Sequence, residues 1–185
     1  QGPSKIHVKY GSTETFAIFF VHGDAMAPSE SSEIISYVGP EILLTINDSL
    51  VNFGNIADVS ISPNLELFVL DSETSKITIF DIKGNLKKSW GTIGNTDGQL
   101  NSPKSILAEK SLVHVSDAGN SRIVTFDNDG NFIRNWGNSG INYQSVQNPT
   151  DIAVDDSGIY YVSDGNQNKI IKFNTNGPYV GEINS

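Results

Sequence analysis

The chain contains no cysteine and only three histidines among its 185 residues. The absence of cysteine excludes a disulfide scaffold and a thiolate metal site, although it does not by itself fix the redox compartment. A catalytic metal centre of the lyase type needs several histidines that converge with a carboxylate. With so few histidines, the composition gives little support to such a centre.

Long apolar runs and excess positive charge are also missing. No stretch approaches the roughly 18 consecutive apolar residues that span a bilayer, so we expect no membrane span. Lysine and arginine number 12 against 21 acidic residues, which gives a formal net charge of −9. Because such a chain repels phosphate backbones, we expect no nucleic-acid partner. The abundant Asn, Ser and Thr favour an extracellular or cell-surface location.

What the sequence does contain is a repeat of 46 or 47 residues. The dipeptide Trp-Gly ends two units, at positions 90–91 and 136–137, and Asp117 recurs as Asp71 and as Asp164. Each unit holds four β-branched or aromatic runs of strand length. In the central unit these runs are 105–108, 112–116, 123–126 and 132–136. Four antiparallel strands per unit, joined in meander order, predict an all-β fold, a β-propeller of four-stranded antiparallel blades.

We therefore predict a single propeller domain over residues 1–185. It would hold a degenerate blade at 11–54 and three regular blades at 55–91, 92–137 and 138–183. An arc of about four blades leaves sheet faces bare unless it closes tightly. We expect either part of a larger, six-bladed propeller or self-association that closes the arc. The chain begins with Gln1, as a fragment or a mature form would.

The central unit resembles an NHL repeat. It carries G-x-x-D-G-Q-L-N-S-P-x-x-I from Gly94, V-x-V-S-D-x-G-N-S-R-I from Val113, and F-D-x-D-G-N-F-I-R-N-W-G from Phe126. The resemblance covers residues 57–183, about two thirds of the chain. It implies a propeller, usually of six blades, that most often binds proteins, glycans or RNA. A minority of such proteins are metal-dependent lyases or hydrolases that work in the central channel.

Three acidic–basic pairs share a spacing of five residues. They are Asp71 with Lys76, Asp117 with Arg122 and Asp164 with Lys169. In each pair the carboxylate ends the second strand and the cation begins the third, so the pair straddles one turn. A carboxylate there can accept backbone N–H bonds and a charge-assisted bond from the cation. Because the pattern recurs in every regular blade, we interpret it as a structural clasp.

Two metal hypotheses deserve comparison. Asp127-Asn128-Asp129-Gly130 looks like the start of a calcium loop, but the twelfth position is Asn138 where a bidentate Glu is needed, so a hairpin turn explains it better. His22, next to Asp24 beside a polar inserted loop, is the histidine we retain as a ligand candidate for zinc or calcium. His114 stands where the other blades have aromatic residues, so we interpret it as a packing residue. We otherwise expect no cofactor.

Meander topology places the connections between blades and the turns between second and third strands on one face. The segments concerned are 92–101, 138–148, 118–122 and 165–169, which are rich in Asn, Gln, Ser and Gly. Such loops suit recognition of a protein or carbohydrate by a rigid, non-enzymatic scaffold. The predicted binding residues are Asn120, Arg122, Tyr143, Asn166 and Lys169. The alternative is a metal-dependent lyase or hydrolase with a channel site near His22 and Asp24.

Overall fold

The computed structural model describes residues 3–10, 14–20, 51–138 and 144–184. The chain forms two compact units, Gln1–Asn52 and Phe53–Ser185. In the first unit, β1 (Pro3–Tyr10) pairs antiparallel with β2 (Glu14–Phe20). Most of the blade predicted at 11–54 lies outside the described residues, so it stays a prediction.

The second unit contains three four-stranded antiparallel sheets, each in simple meander order. Blade 2 comprises β3 (Ile56–Ile61), β4 (Glu66–Asp71), β5 (Lys76–Asp81) and β6 (Leu86–Trp90). Blade 3 comprises β7 (Ser105–Ala108), β8 (Leu112–Asp117), β9 (Arg122–Asp127) and β10 (Phe132–Trp136). Blade 4 comprises β11 (Pro149–Val154), β12 (Tyr160–Asp164), β13 (Lys169–Phe173) and β14 (Tyr179–Asn184). The predicted all-β, bladed fold class is confirmed.

Helical structure is minimal, as the repeat predicts. In the part of the chain that the structure describes, one 3-10 turn, Ala118–Asn120, lies between β8 and β9. Within the described ranges no helix has the length and apolar character that a membrane crossing would need.

The tight turn between β9 and β10 shows why its sequence mimics a calcium loop. Gly130 adopts φ +86°, and its N–H donates to the carbonyl of Asp127 at 3.1 Å. The Asp127 carboxylate accepts the N–H groups of Asp129 and Asn131, both at 2.9 Å. Here the acidic side chain stabilises the turn from inside, as Asp does in many hairpins.

The repeated tryptophans and glycines belong together across neighbouring blades. Trp90 at the end of β6 packs on Phe126 of blade 3, with ring centroids 4.6 Å apart. The same indole covers Gly130, where an added Cβ would lie 2.5 Å from ring carbons. Trp136 lies against Gly177 of blade 4, with its Cβ 2.8 Å and its ring Cγ 3.4 Å from an added Cβ. The repeated Trp and Gly positions in the sequence therefore correspond to contacts between neighbouring blades.

Two buried apolar clusters hold the blades together. One joins blade 2 to blade 3 through Phe68, Leu70, Ile77 and Ile79 on one side and Ile106, Val113, Val115, Val124 and Phe126 on the other. The second joins blade 3 to blade 4 through Ile123, Trp136, Ile152, Tyr160, Val162, Ile171 and Phe173. The core thus lies between successive sheets, as blade stacking requires.

Candidate functional site

The loop face consists of residues 92–104, 118–122, 144–149 and 165–169, and its segments contact one another. Arg122 Nη2 donates to the carbonyls of Thr96 and Gln99, at 2.9 and 2.8 Å. Ser121 Oγ donates to the carbonyl of Gln147 at 2.6 Å, so the turn of blade 3 also touches the connection into blade 4. The connections and the second-to-third-strand turns do lie together on one face.

Aspartates at the ends of the second strands accept hydrogen bonds from the backbone of the turns and connections. The Asp71 carboxylate accepts N–H bonds from Gly54 at 2.7 Å and from Glu73 at 2.9 Å, on both sides of the turn. Asp164 does the same with the backbone of Asn148 at 3.2 Å and of Gln167 at 3.0 Å. Burial acts to raise the pKa of both aspartates, but the backbone donors outweigh it and hold each pKa below its usual value. Both carboxylates are therefore internal structural groups.

Both halves of the predicted clasp are seen in blade 3. Arg122 Nε donates to Asp117 Oδ2 at 2.8 Å in a buried pair. In blade 4 the expected partner of Asp164, Lys169, donates to Glu182 at 2.7 Å. The neighbouring outer strand therefore offers this lysine a carboxylate of its own, and the charge-assisted half of the clasp stays a prediction in blade 4.

The predicted binding residues have unequal positions on the loop face. Arg122 is 6% exposed, and its guanidinium is used inside the face. Asn120 is half-buried and donates to the carbonyl of Gly94 at 2.9 Å, whereas Asn166 is exposed. Tyr143 lies outside the described residues, as do His22 and Asp24. Their roles in binding stay predictions.

Between the clasped turns runs a row of accessible polar side chains, the loop-face strip: Asn101, Lys104, Asn148 and Asn166. All are exposed except Asn148, which is half-buried. Lys104 Nζ donates to Asn148 Oδ1 at 3.0 Å, and Asn148 Nδ2 donates to Asn166 Oδ1 at 3.3 Å. The strip thus crosses from blade 3 to blade 4. It offers amide donors and acceptors with one cation, a set suited to hydrogen-bonded recognition.

A second polar constellation, missed in the sequence, lies buried between blades 3 and 4. His114 is fully buried, with Nδ1 2.9 Å from Thr125 Oγ1 and Nε2 2.8 Å from Glu109 Oε2. The hydroxyl of Tyr160 donates to the same Glu109 oxygen at 2.7 Å. Trp136 Nε1 donates to Thr125 Oγ1 at 2.9 Å. We call these five residues the junction network.

Electrostatics in the junction network favour an ionised glutamate and a protonated phenol. The hydrogen bond from His114 lowers the pKa of Glu109, while burial acts against it and the Tyr160 hydroxyl reinforces it. Burial, followed by the bond to Glu109, raises the pKa of Tyr160 well above its usual value. The sequence feature that could have predicted the junction network is His114 at a position where the other blades have aromatic residues. A buried imidazole there needs hydrogen-bond partners for both nitrogens.

Carboxylates also line the innermost strands. Asp58 on β3 accepts the N–H of Ile106 on β7 at 2.8 Å, and Ser105 Oγ donates to Asp151 on β11 at 2.8 Å. Burial raises the pKa of Asp58, and the negative charge of Asp151 adds to this. Over the described residues, no three His, Cys, Asp or Glu side chains gather as a metal site would require. These contacts link neighbouring blades at their inner edges.

Comparison with known proteins identifies the architecture. Hydrazine synthase of Kuenenia stuttgartiensis matches with a TM-score of 0.58 and 15% identity, over 72% of this chain and 37% of that one. The chain has the β-propeller fold. Virginiamycin B lyase from Staphylococcus aureus matches with a TM-score of 0.52 and 19% identity, over 69% of this chain and 40% of that one. A catalytically inactive variant of that lyase with quinupristin gives 0.54 and 18%, over 70% and 41%.

These likenesses extend to the fold alone, because all three identities are below 20%. The chain spans about two fifths of the length of the propellers it matches. No protein-family profile matches the sequence, and no curated protein matches it.

Proposed function

We propose that this propeller is a non-enzymatic recognition scaffold whose loop face binds a protein or a glycan. The observation that carries the proposal is the loop-face strip, an exposed row of amide side chains held on turns that internal aspartates clasp. Rigid loops lose little conformational entropy when a ligand binds, which favours affinity. The resemblance to NHL repeats, which most often bind macromolecules, is consistent with this use, as is the extracellular setting that the composition favours.

The strip, more than Arg122 or Lys169, should make the contacts. The guanidinium of Arg122 already serves Asp117 and two loop carbonyls, so a ligand would have to displace internal bonds to reach it. Asn101 and Asn166 are exposed and can offer both donors and acceptors. Arg122 would then act as a support that fixes the shape of the loop face.

The test begins by screening the purified chain against a glycan array and a displayed peptide library. For any ligand selected, Asn101→Ala and Asn166→Ala should each weaken binding about tenfold, as loss of roughly 1.4 kcal/mol would. Asn176→Ala is the matched control, because Asn176 is exposed on a turn at the opposite end of blade 4. Binding that is lost with Asn176→Ala but unaffected by the two loop-face variants would contradict the proposal.

The second candidate is a metal-dependent lyase or hydrolase. Its support is the likeness in fold to a lyase, together with His22 and Asp24, which lie outside the described residues. Elemental analysis of the purified protein for zinc and calcium distinguishes the two candidates. Stoichiometric metal that is lost in His22→Ala, but kept in His7→Ala, would favour the enzyme.

A further inference from the structure

The hydrogen bonds of the loop-face strip run in one direction. Because the ammonium group of Lys104 can only donate, Asn148 must turn its side-chain oxygen toward it, and the two atoms are 3.0 Å apart. The Nδ2 group of Asn148 is thereby directed at Asn166, and it donates to Oδ1 of that residue at 3.3 Å. The series ends on the Nδ2 group of Asn166, an exposed residue. We call Lys104, Asn148 and Asn166 the amide relay.

The amide relay presents more free donors than free acceptors. Two of the three N–H groups of Lys104 and both of those on Asn166 Nδ2 have no partner among the described residues. The two amide oxygens each already accept one bond, so one lone pair is left on each. A complementary ligand must therefore supply acceptors. A negatively charged acceptor forms the stronger bond with an ammonium group.

Both ends of the amide relay depart from the sequence repeat. Strand register places Ala57 of blade 2 at the position of Lys104, one residue before the matched positions of the first strands. Glu73 of blade 2 stands at the position of Asn166, two residues after the aspartate that ends the second strand. Residues that stabilise every blade recur, whereas residues that occur once in the face are typical of a site built once.

Lys104 is also placed to receive an anionic group, since it makes no ion pair with any described carboxylate. Two carboxylates lie beside Ser105, the next residue. Asp151 accepts the Ser105 hydroxyl at 2.8 Å, and Asp58 accepts backbone N–H groups at 2.8 Å. Asp97 accepts a bond from the outer strand of blade 3. Because the whole chain carries −9, the site suits a ligand with one acid group better than a polyanion.

The rest of the loop face favours a sugar over a protein as the source of that acid group. Among its exposed residues as described, all but Ile93 are polar or glycine. Protein contacts usually centre on apolar or aromatic anchors, and this part of the surface offers little of either. A sugar ring carries several hydroxyls, which can accept bonds from the amide donors and donate to the remaining lone pairs.

We propose that the loop-face strip binds an acidic sugar, with its carboxylate on Lys104 and its ring hydroxyls on Asn148 and Asn166. Two hydrogen bonds in series separate the ends of the amide relay, so a lone carboxylate is too short to contact both. A ring with a carboxylate at one end and hydroxyls along its edge matches this length. The inference rests on the proposed function and narrows its ligand to a glycan with one acidic unit.

The probes are the methyl glycosides of glucuronate, galacturonate and N-acetylneuraminate, each compared with its carboxyl-reduced, neutral counterpart. In titrations followed by backbone amide NMR, at least one acid should bind about fivefold tighter than its counterpart, the upper range for an exposed ion pair. Lys104→Gln should abolish this difference. Lys110→Gln is the matched control and should preserve it, because Lys110 is exposed in the turn between β7 and β8, at the opposite end of blade 3.

Asn166→Asp should also abolish binding of the acid, because it replaces the terminal donor with a carboxylate, and circular dichroism should show that each variant keeps the strand signal. The inference is overturned if all three acids bind no tighter than their neutral counterparts, or if the difference survives Lys104→Gln. If a neutral glycan or a peptide from the screen still binds through Asn101 and Asn166, the proposed function stands and only the acidic ligand is excluded. If no ligand depends on the loop face in either experiment, both fail.

Discussion

The two junctions between blades are built on the same backbone register with different chemistry. Between blades 2 and 3 the facing side chains are apolar, and Phe68 and Ile79 are almost fully buried. At the equivalent positions between blades 3 and 4 stand His114 and Thr125, joined to Glu109, Tyr160 and Trp136 in the junction network. Both junctions contain an apolar cluster, but at these positions the first fills volume with hydrocarbon and the second pairs polar atoms.

The difference shows what a blade interface tolerates. Apolar packing depends on how well side chains fill the space, so the loss in free energy of unfolding grows with the side-chain volume removed. A buried polar network needs each member, because the loss of one partner leaves another desolvated and unpaired. The tryptophans follow the same division, since Trp136 Nε1 donates to Thr125 while Trp90 Nε1 has no partner among the described residues.

The largest effect is expected from Phe68→Ala in the apolar junction. Phe68 is fully buried, and removing its ring should lower the free energy of unfolding by about 3–5 kcal/mol. Urea denaturation at neutral pH measures the loss, with Phe68→Leu as the control that removes less side-chain volume and should lose less stability. A loss in Phe68→Ala no larger than in Phe68→Leu would contradict a volume-dependent junction.

A smaller loss is expected from Tyr160→Phe in the polar junction. The substitution keeps the ring and removes only the hydroxyl that donates to Glu109, which should cost about 1.5–3 kcal/mol for a bond to a charged group. Tyr161→Phe is the control next in sequence, because its hydroxyl donates to Asp155 at the surface. If the two variants unfold at the same urea concentration, the junction network contributes nothing specific.

The fold could be predicted because its signals are local and repeated. Strand runs, Gly130 in a left-handed turn and the Trp-Gly period each reflect constraints within a few residues or between neighbouring blades. The structural role of Asp71 and Asp164 was also readable, since each recurs at the same place in its unit. Because the same pattern recurs in each unit, strands could be assigned with less ambiguity than from one stretch alone.

The details of the candidate site were less predictable, because partners come from distant positions. Tyr160 reaches Glu109 across 51 residues, and no spacing rule connects them. Lys169 donates to Glu182 on the outer strand, a partner 13 residues away that the spacing of five did not suggest. The sequence predicted Arg122 as a binding residue, and its distant partners, the carbonyls of Thr96 and Gln99, could not be read from spacing. Its role in binding stays a prediction.

The smallest expected effect is the acid response of the polar junction. The folded-state pKa of Glu109 is lowered from its usual 4.5, so its contribution to stability is complete above that pH. The contribution is lost as the pH falls through the folded-state pKa. The apolar cluster between blades 2 and 3 has no titratable member, so its contribution should not follow this trend.

Urea midpoints of the wild type and Glu109→Gln should therefore differ by a constant amount above the usual pKa of 4.5 and converge as the pH falls below it. The wild type must be compared with Glu109→Gln at each pH, because Asp71 and Asp164 also have lowered pKa values. Protonation of these two aspartates lowers the free energy of unfolding of both proteins in acid. The titratable and charged groups near Glu109 are His114 and Tyr160, which contact it, and Arg134, whose charge affects Tyr160. Asp156→Asn serves as the control, because it also removes one negative charge but at the surface. A difference between the two midpoints that does not shrink in acid would show that Glu109 acts through packing alone. The two junctions would then differ in composition but not in their response to pH.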